Sequence, residues 1–158
     1  MRIYLDLCVY NRPFDYQGQE RIALETSAFI YILELVEKGK HTLVISDALI
    51  YENNKNSNEQ RRLRVSSYFK LAKEYVEIED SYIERVGFLR KLGFFDIDAL
   101  HIAISERVKV DCFVTCDDEI VKIYKKHHKK INVKILSLME FVAGEVNGNG
   151  NQSGRNKV

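Results

Sequence analysis

The chain has 158 residues, of which 46% are hydrophobic and 30% are charged, and its formal net charge is +1. This length and balance are typical of one soluble domain that buries its own core. The near-neutral charge excludes a polycation, so a nucleic-acid ligand would have to bind through a local patch.

Cysteine content and hydropathy predict where the protein is found. The three cysteines, Cys8, Cys112 and Cys116, are too few and too odd in number for a disulfide framework. The apolar start is interrupted at Asp6, too early for a signal peptide, and no apolar stretch has membrane-spanning length. We therefore expect a protein of the reducing cytoplasm that makes no membrane contact.

Short apolar runs alternate along the chain with segments of helical periodicity. In chain order the predicted elements are a strand at 3–5, a helix at 19–38 stopped by Gly39, a strand at 42–45, a helix from 57 to 71 with a Ser57/Gln60 capping box, a weaker strand at 75–78, helices at 80–92 and 98–108, a strand at 112–114, a short helix after Asp117 and a strand at 133–136. Strands and helices that alternate in this way predict an α/β fold with a parallel sheet and helices on both faces.

The last part of the chain has a different composition. Residues 144–158 are rich in glycine and asparagine and offer little apolar surface to bury. We expect one domain over 1–143 and a disordered polar tail over 144–158.

Acidic residues recur where the predicted strands end. Asp6 ends the first strand, Asp117 follows the fourth, and Glu52 comes after the second. Asp98 opens the helix that precedes the fourth strand, a less direct assignment. Ligands of open parallel sheets bind at the carboxyl ends of the strands, so these positions predict one acidic site. Clustered carboxylates repel each other unless they bind a cation such as Mg²⁺, which prefers oxygen ligands and can bridge to a phosphate.

A structural interpretation of the same acids exists for each residue taken alone. Asp98 and Asp117 could be helix caps, since aspartate after a strand often caps a helix. Glu52 could be a solvated helix residue. Asp6 is harder to explain in this way because it interrupts a strongly apolar run. The recurrence of acids at matching positions favours the functional interpretation.

Five segments resemble the motifs of the PIN domain family. They are Ile3-Tyr4-Leu5-Asp6, Val9 to Asp15, Ser46 to Glu52, Asp98-Ala99-Leu100-His101-Ile102-Ala103 and Phe113-Val114-Thr115-Cys116-Asp117. The segment that begins at Asp98 is the most specific of them. The resemblance extends from Arg2 to about Val142.

The resemblance implies a fold, an activity and a set of partners. The fold is a PIN-like three-layer α/β/α sandwich with a five-stranded parallel sheet. The activity is Mg²⁺- or Mn²⁺-dependent endonucleolytic cleavage of RNA. Many such proteins are the toxin of a VapBC-type toxin–antitoxin pair, and many are homodimers, so an antitoxin and a second copy are expected partners.

Site residues carry over from the family by position. Asp6, Glu52, Asp98 and Asp117 are the implied catalytic acids, of which Asp6, Asp98 and Asp117 are the implied metal ligands. Thr115, Asn11 and Asp118 are expected to support them, and Asp47, Asp96 and Asp118 are alternates for their neighbours.

Two positions after the first acid depart from the family pattern. Members often have Ser or Thr and then Asn after the first acid, whereas this chain has Leu7 and Cys8. Neither side chain is a good ligand for a hard cation. This keeps open an alternative function, a catalytically weak PIN-fold module that binds RNA or a protein partner.

Other polar residues near the motifs have two interpretations each. Arg61, Arg62 and Arg64 could contact RNA beside Glu52, although ordinary exposed helix charges are the favoured interpretation. His101, one turn after Asp98, could approach the acids, but a helix histidine satisfied by a neighbour is favoured.

Overall fold

The computed structural model describes the backbone of residues 1–153 and the side chains of residues 1–148. Five strands form one parallel sheet in the order β3-β2-β1-β4-β5. The strands are β1 (Arg2–Leu5), β2 (Thr42–Ser46), β3 (Glu74–Val76), β4 (Cys112–Thr115) and β5 (Ile135–Ser137). The predicted α/β class with a five-stranded parallel sheet is confirmed.

Eight α-helices flank the sheet in the described part of the chain. They are α1 (Leu7–Asn11), α2 (Glu20–Glu37), α3 (Asp47–Asn54), α4 (Glu59–Phe69), α5 (Ile83–Leu92), α6 (Asp96–Arg107), α7 (Asp118–His127) and α8 (Leu138–Ser153). Short 3₁₀ turns lie at Arg12–Phe14, Asp80–Tyr82 and His128–Lys130. Helix α2 packs against α8, and α5 packs against α6.

Strand β1 lies at the centre of the sheet, which explains its apolar sequence. It pairs with β2 on one side and β4 on the other, and Ile3, Tyr4 and Leu5 are fully buried. A strand covered on both faces needs apolar residues at every position rather than an alternating pattern. The chain runs outward from β1 through β2 to β3 and then crosses to β4 on the other side of β1. A topological switch point therefore lies at the carboxyl ends of β1 and β4.

The predicted end of α2 at Gly39 is confirmed. Gly39 has a φ of 74°, a left-handed conformation that favours glycine. Its N–H donates to the carbonyl of Val36, and the N–H of Lys40 donates to that of Leu35. These bonds satisfy carbonyls that the last helical turn leaves free, which ends the helix before β2.

Several boundaries differ from the sequence-based prediction. Asn58, not Ser57, caps α4, because its side chain accepts the N–H of Arg61 at 3.0 Å. Helix α6 begins at Asp96, so that Asp98 lies inside its first turn rather than at its cap. Helix α1 was not predicted, because five residues are too few to show a period.

The expected division of the chain at residue 143 into a domain and a polar tail remains a prediction. Helix α8 continues to Ser153, past the expected domain boundary at 143, and Glu145 lies 3.1 Å from His41. Residues 154–158 of the expected disordered tail lie outside the described residues. Among residues 1–153, no helix combines the length and the apolar character needed to cross a bilayer.

Candidate active site

The acids predicted from the sequence meet at the carboxyl edge of the sheet, beside the switch point. Asp6 directly follows β1, and Asp117 lies two residues after β4. Glu52 and Asp98 come from α3 and α6, two helices that pack against each other. The sheet and this helix pair therefore bring together residues that are far apart in sequence.

Asp6 is the most deeply buried of the four acids, with 5% of its surface exposed. Its Oδ1 accepts the N–H of Leu7 at 2.8 Å, which caps α1, and its Oδ2 accepts the Thr115 hydroxyl at 2.7 Å. Burial raises the pKa of the Asp6 carboxyl, and the neighbouring Glu52 raises it further, although His101 and the Thr115 hydrogen bond oppose them. Thr115 thus holds a carboxylate that is costly to ionise.

The Thr115 hydroxyl connects the first and fourth acids. It donates to Asp6 and accepts the backbone N–H of Asp117 at 3.0 Å. Asp117 is exposed and caps α7, because its Oδ1 accepts the N–H of Glu119 at 2.8 Å. The capping interpretation is therefore correct for Asp117, and its carboxylate still lies at the acidic edge.

The ionisation of Asp98 is perturbed by burial and by the other three acids. Its pKa is raised to about 7, first by burial and then by the negative charges of Asp6, Asp117 and Glu52, with His101 acting in the opposite direction. Asp98 does not cap α6, so the capping interpretation fails for this residue. The other three acids therefore lie close enough to Asp98 for their negative charges to oppose its ionisation.

Glu52 is held by His101 in a buried hydrogen-bond chain. The Nε2 of His101 lies 2.6 Å from a Glu52 carboxylate oxygen, and its Nδ1 lies 2.7 Å from the Tyr4 hydroxyl. The Tyr4 hydroxyl lies 2.6 Å from that of Ser46, which ends β2. His101 therefore has a neighbour that satisfies it, as expected, and that neighbour is one of the four acids. The role of Tyr4 was missed, since an apolar strand gave no signal for it.

Cys8 supplies a contact in place of the family's usual polar residues. Its thiol donates to Asp6 Oδ2 at 3.3 Å and lies 3.5 Å from the Thr115 hydroxyl, while its sulfur accepts the N–H of Cys116 at 3.3 Å. Leu7 is buried in the core instead. All three cysteines are free thiols. The departure at Leu7 and Cys8 therefore leaves Asp6 with a weak donor rather than with none.

The alternate acids are engaged elsewhere. Asp47 accepts the N–H of Ile78 at 2.9 Å. Asp96 forms an ion pair with Arg90 at 2.5 Å. Asp118, expected to support the site, binds both terminal nitrogens of Arg21 at 2.7 and 2.8 Å. These partners direct the three carboxylates away from the central cluster.

A series of alternating charges borders the acids and was not predicted. Glu25, only 2% exposed, accepts hydrogen bonds from Arg12 and Arg21, and these bonds lower its pKa although burial opposes ionisation. Arg21 also donates to the carbonyl of Cys116, next to Asp117. The spacing of Arg21 and Glu25 by four residues on a predicted helix was the available signal, but it did not reveal that Glu25 is buried.

The remaining expected residues have local partners. Asn11 donates to the carbonyl of Leu7 at 3.2 Å, and its Oδ1 is buried without a hydrogen-bond partner. Arg61 pairs with Asp15 at 2.7 Å. Arg62 donates to the carbonyl of Asn56 at 2.9 Å, and the Arg64 guanidinium lies 6.0 Å from the Phe14 ring centre.

The donor set fits a hard divalent cation. Asp6, Glu52 and His101 offer atoms that all lie within 4.8 Å of one another. Carboxylate oxygens are the ligands that Mg²⁺ and Mn²⁺ prefer, and a cation would relieve the repulsion that raises the pKa of Asp98. The fit rests on the carboxylates, because both ring nitrogens of His101 already have hydrogen-bond partners.

Comparison with known proteins gives a match by structure only. No family model matches the chain, and no curated protein matches its sequence. A chain from the VapBC2 complex of Rickettsia felis bound to a DNA fragment from their promoter is similar at a TM-score of 0.55 and 18% identity, over 87% of this chain and 98% of that chain. A chain of DNA-bound VapBC from Salmonella typhimurium has a TM-score of 0.48 and 16% identity over the same shares. The first similarity supports the PIN-like fold that the motifs predicted.

Proposed function

We propose that this protein is a Mg²⁺- or Mn²⁺-dependent endoribonuclease whose catalytic acids are Asp6, Glu52, Asp98 and Asp117. One observation carries the proposal. Among the described residues, none of the four acids has a lysine or arginine partner, whereas all three alternates have a stabilising partner. Clustered carboxylates without a lysine or arginine partner favour the binding of a cation from solution.

The side chains divide the work as follows. Asp6, Asp98 and Asp117 would hold the ion, and Glu52, whose carboxylate lies within 4.8 Å of that of Asp6, would add an oxygen from α3. Such an ion, when bound, lowers the pKa of a coordinated water and stabilises negative charge at a phosphodiester. Thr115 and Cys8 fix the Asp6 carboxylate, and Asn11 has a free amide oxygen with which to accept a further hydrogen bond.

Contacts with RNA are proposed for the basic residues beside the acids. Arg61, Arg62 and Arg64 lie on α4, and Arg61 is joined through Asp15 to the charged series that borders the site. Phosphate contacts from arginine position a strand without reading its sequence. They would supply the local positive patch that a protein with a net charge of +1 requires.

The proposed partners rest on the similarity in fold and on the motif resemblance. The similarity in fold to a chain of a VapBC2 complex, together with the motif resemblance, supports a toxin of a toxin–antitoxin pair. We propose a small antitoxin protein as partner, a homodimer as assembly and the cytoplasm as location. A catalytically weak module that binds RNA or protein is the competing function, and the hydrogen bond from Cys8 to Asp6 counts against it.

Cleavage of single-stranded and structured RNA, with and without Mn²⁺, tests the proposal. We expect metal-dependent cleavage, and a loss of about a thousandfold in kcat/KM for Asp6→Asn, corresponding to about 4 kcal/mol of transition-state stabilisation. Asp6→Asn should melt at the same temperature as the wild type without metal, or higher, because it removes one repelling charge.

Asp96→Asn is the matched control, since it removes an acid from α6 that pairs with Arg90 outside the cluster. It should cut RNA as the wild type does. Full metal-dependent activity in Asp6→Asn would refute the assignment. A wild type that neither cuts RNA nor is stabilised by Mn²⁺ would leave the binding module as the better function.

A further inference from the structure

His101 has an unusual position for a histidine beside a metal-binding cluster. It is fully buried, and both of its ring nitrogens are engaged, Nδ1 with Tyr4 and Nε2 with Glu52. Tyr4 lies on β1, Ser46 ends β2, His101 lies on α6 and Glu52 lies on α3. The hydrogen-bond chain thus joins four elements and ends at the acidic edge.

Hydrogen-bond chemistry fixes which group donates to Glu52. An ionised carboxylate only accepts, so Nε2 must carry the proton of this bond. If the ring is neutral, Nδ1 accepts from Tyr4, and Tyr4 accepts from Ser46. If the ring is protonated, Nδ1 donates to Tyr4, and Tyr4 donates to Ser46. In both cases Nε2–H points at Glu52, so this nitrogen has no lone pair for a metal ion.

Glu52 needs such a contact more than Asp6 and Asp117 do. Asp6 and Asp117 accept backbone N–H groups at helix starts, which hold short side chains in place. Glu52 has a longer side chain that is 29% exposed, and His101 is its hydrogen-bond partner among the described residues. Ordering a free glutamate costs conformational entropy, which a buried and immobile donor reduces.

We propose that His101 is a positioning residue that holds one Glu52 oxygen and so directs the other toward the cation site, with Tyr4 and Ser46 holding the imidazole in turn. The inference rests on the proposed function for its catalytic consequence. Its metal-binding consequence rests on the hydrogen-bond chain and on the cation site, and it does not depend on RNA cleavage. A structural role, in which the chain only satisfies buried polar atoms, predicts an effect on folding and none on the cation.

The test uses the 158-residue chain and measures Mn²⁺ binding by calorimetry, together with the melting temperature without metal. His101→Leu keeps a side chain of similar volume and removes the N–H donor to Glu52. It should weaken Mn²⁺ binding by about 10- to 100-fold, the usual loss when a partner of a metal-binding side chain is removed. His101→Gln keeps an N–H donor and should recover most of the affinity. Ser105→Ala is the matched control, because Ser105 is buried on the same helix and bonds the backbone carbonyl of His101 rather than its ring.

A double-mutant cycle separates positioning from structure. In a Glu52→Gln background, His101→Leu should have almost no further effect on Mn²⁺ binding, because the oxygen that it positions is already altered. Equal effects in both backgrounds, or a lowered melting temperature with unchanged Mn²⁺ affinity, would overturn the inference. If His101→Leu does not fold, Tyr4→Phe replaces it and should weaken Mn²⁺ binding in the same direction by a smaller factor; unchanged affinity in that variant would overturn the inference.

RNA cleavage gives a second, separate readout. His101→Leu should lower kcat while KM for RNA changes little, because the phosphate contacts are elsewhere. A wild type that binds Mn²⁺ but does not cut RNA would refute the proposed function and leave the binding cycle to decide the role of His101. A wild type that does not bind Mn²⁺ would refute both.

Discussion

The amino ends of the parallel strands carry a matched ion pair, whereas the candidate acids at the carboxyl ends have no lysine or arginine partner among the described residues. At the amino ends, the Arg2 guanidinium binds Glu74 through two hydrogen bonds of 2.9 and 2.6 Å and also donates to the carbonyls of Val108 and Lys109. This pairing raises the pKa of Arg2 and lowers that of Glu74. At the carboxyl ends, Asp6 and Asp98 have raised pKa values and no cationic side chain paired with them in the described chain.

The difference separates charges that stabilise the fold from charges that cost stability. A paired charge favours the folded state at neutral pH, whereas a repelling carboxylate opposes it. An edge that remains unfavourable without metal is expected at a functional site, where strain serves the chemistry rather than the fold. Each prediction below changes one of the two ends and should leave the other unaffected.

The largest effect on stability is expected at the paired end. Arg2→Met removes the guanidinium and leaves Glu74 and two carbonyls without their donor. We expect the free energy of unfolding to fall by about 2 kcal/mol, the range for hydrogen bonds that involve a charged group at a partly exposed site. Chemical denaturation measures this loss, and calorimetry with Mn²⁺ should give an unchanged affinity. A changed Mn²⁺ affinity would show that the two ends are coupled.

A smaller effect is expected from Asp98, and its sign follows from the raised pKa. The carboxyl ionises near pH 4 in the unfolded chain and near pH 7 in the folded one, so the folded state binds more protons between these values. The stability that the protonated Asp98 contributes is present below pH 4 and is lost as pH rises to 7. We expect a loss of about 1 kcal/mol, reduced from the full shift because the residue is partly exposed.

Melting curves of the metal-free protein between pH 4 and pH 7.5 test this dependence. Asp98→Asn should flatten the curve over that range, whereas Asp96→Asn should leave its shape unchanged. Saturating Mn²⁺ should stabilise the wild type most at the upper end of the range. An Asp98→Asn curve as steep as that of the wild type would assign the dependence to other groups.

The smallest effect is expected from removal of residues 144–158. The sequence predicts almost no loss, because this segment offers little apolar surface, whereas the structure gives Glu145 a contact with His41. We expect at most about 1 kcal/mol, or a fall of about 2–4 °C in melting temperature. Glu145→Gln in the full chain is the matched variant and should reproduce most of that fall. A larger loss on truncation alone would show that the remaining residues pack against the domain.

The sequence by itself determined the fold class and the candidate acids. The apolar runs of β1, β2 and β4 were predictable because strands buried on both faces need apolar residues at nearly every position. Asp6 and Asp117 were predictable as site candidates because they follow such strands, and parallel strands end at a common edge. Helix α1 and the end of α8 were not predictable. Helix α1 is too short to show a helical period, and the end of α8 has a polar composition that favours no element.

Only the tertiary structure decided which acids lie close together and which side chains hold them. In the sequence, Asp47, Asp96 and Asp118 were alternates for the candidate acids near them. In the structure they are set apart because their carboxylates bind Ile78, Arg90 and Arg21. The hydrogen-bond chain from Ser46 through Tyr4 and His101 to Glu52 joins residues up to 97 positions apart in the sequence. Side-chain direction across a sheet and between packed helices depends on the whole fold, so a local sequence pattern does not predict it.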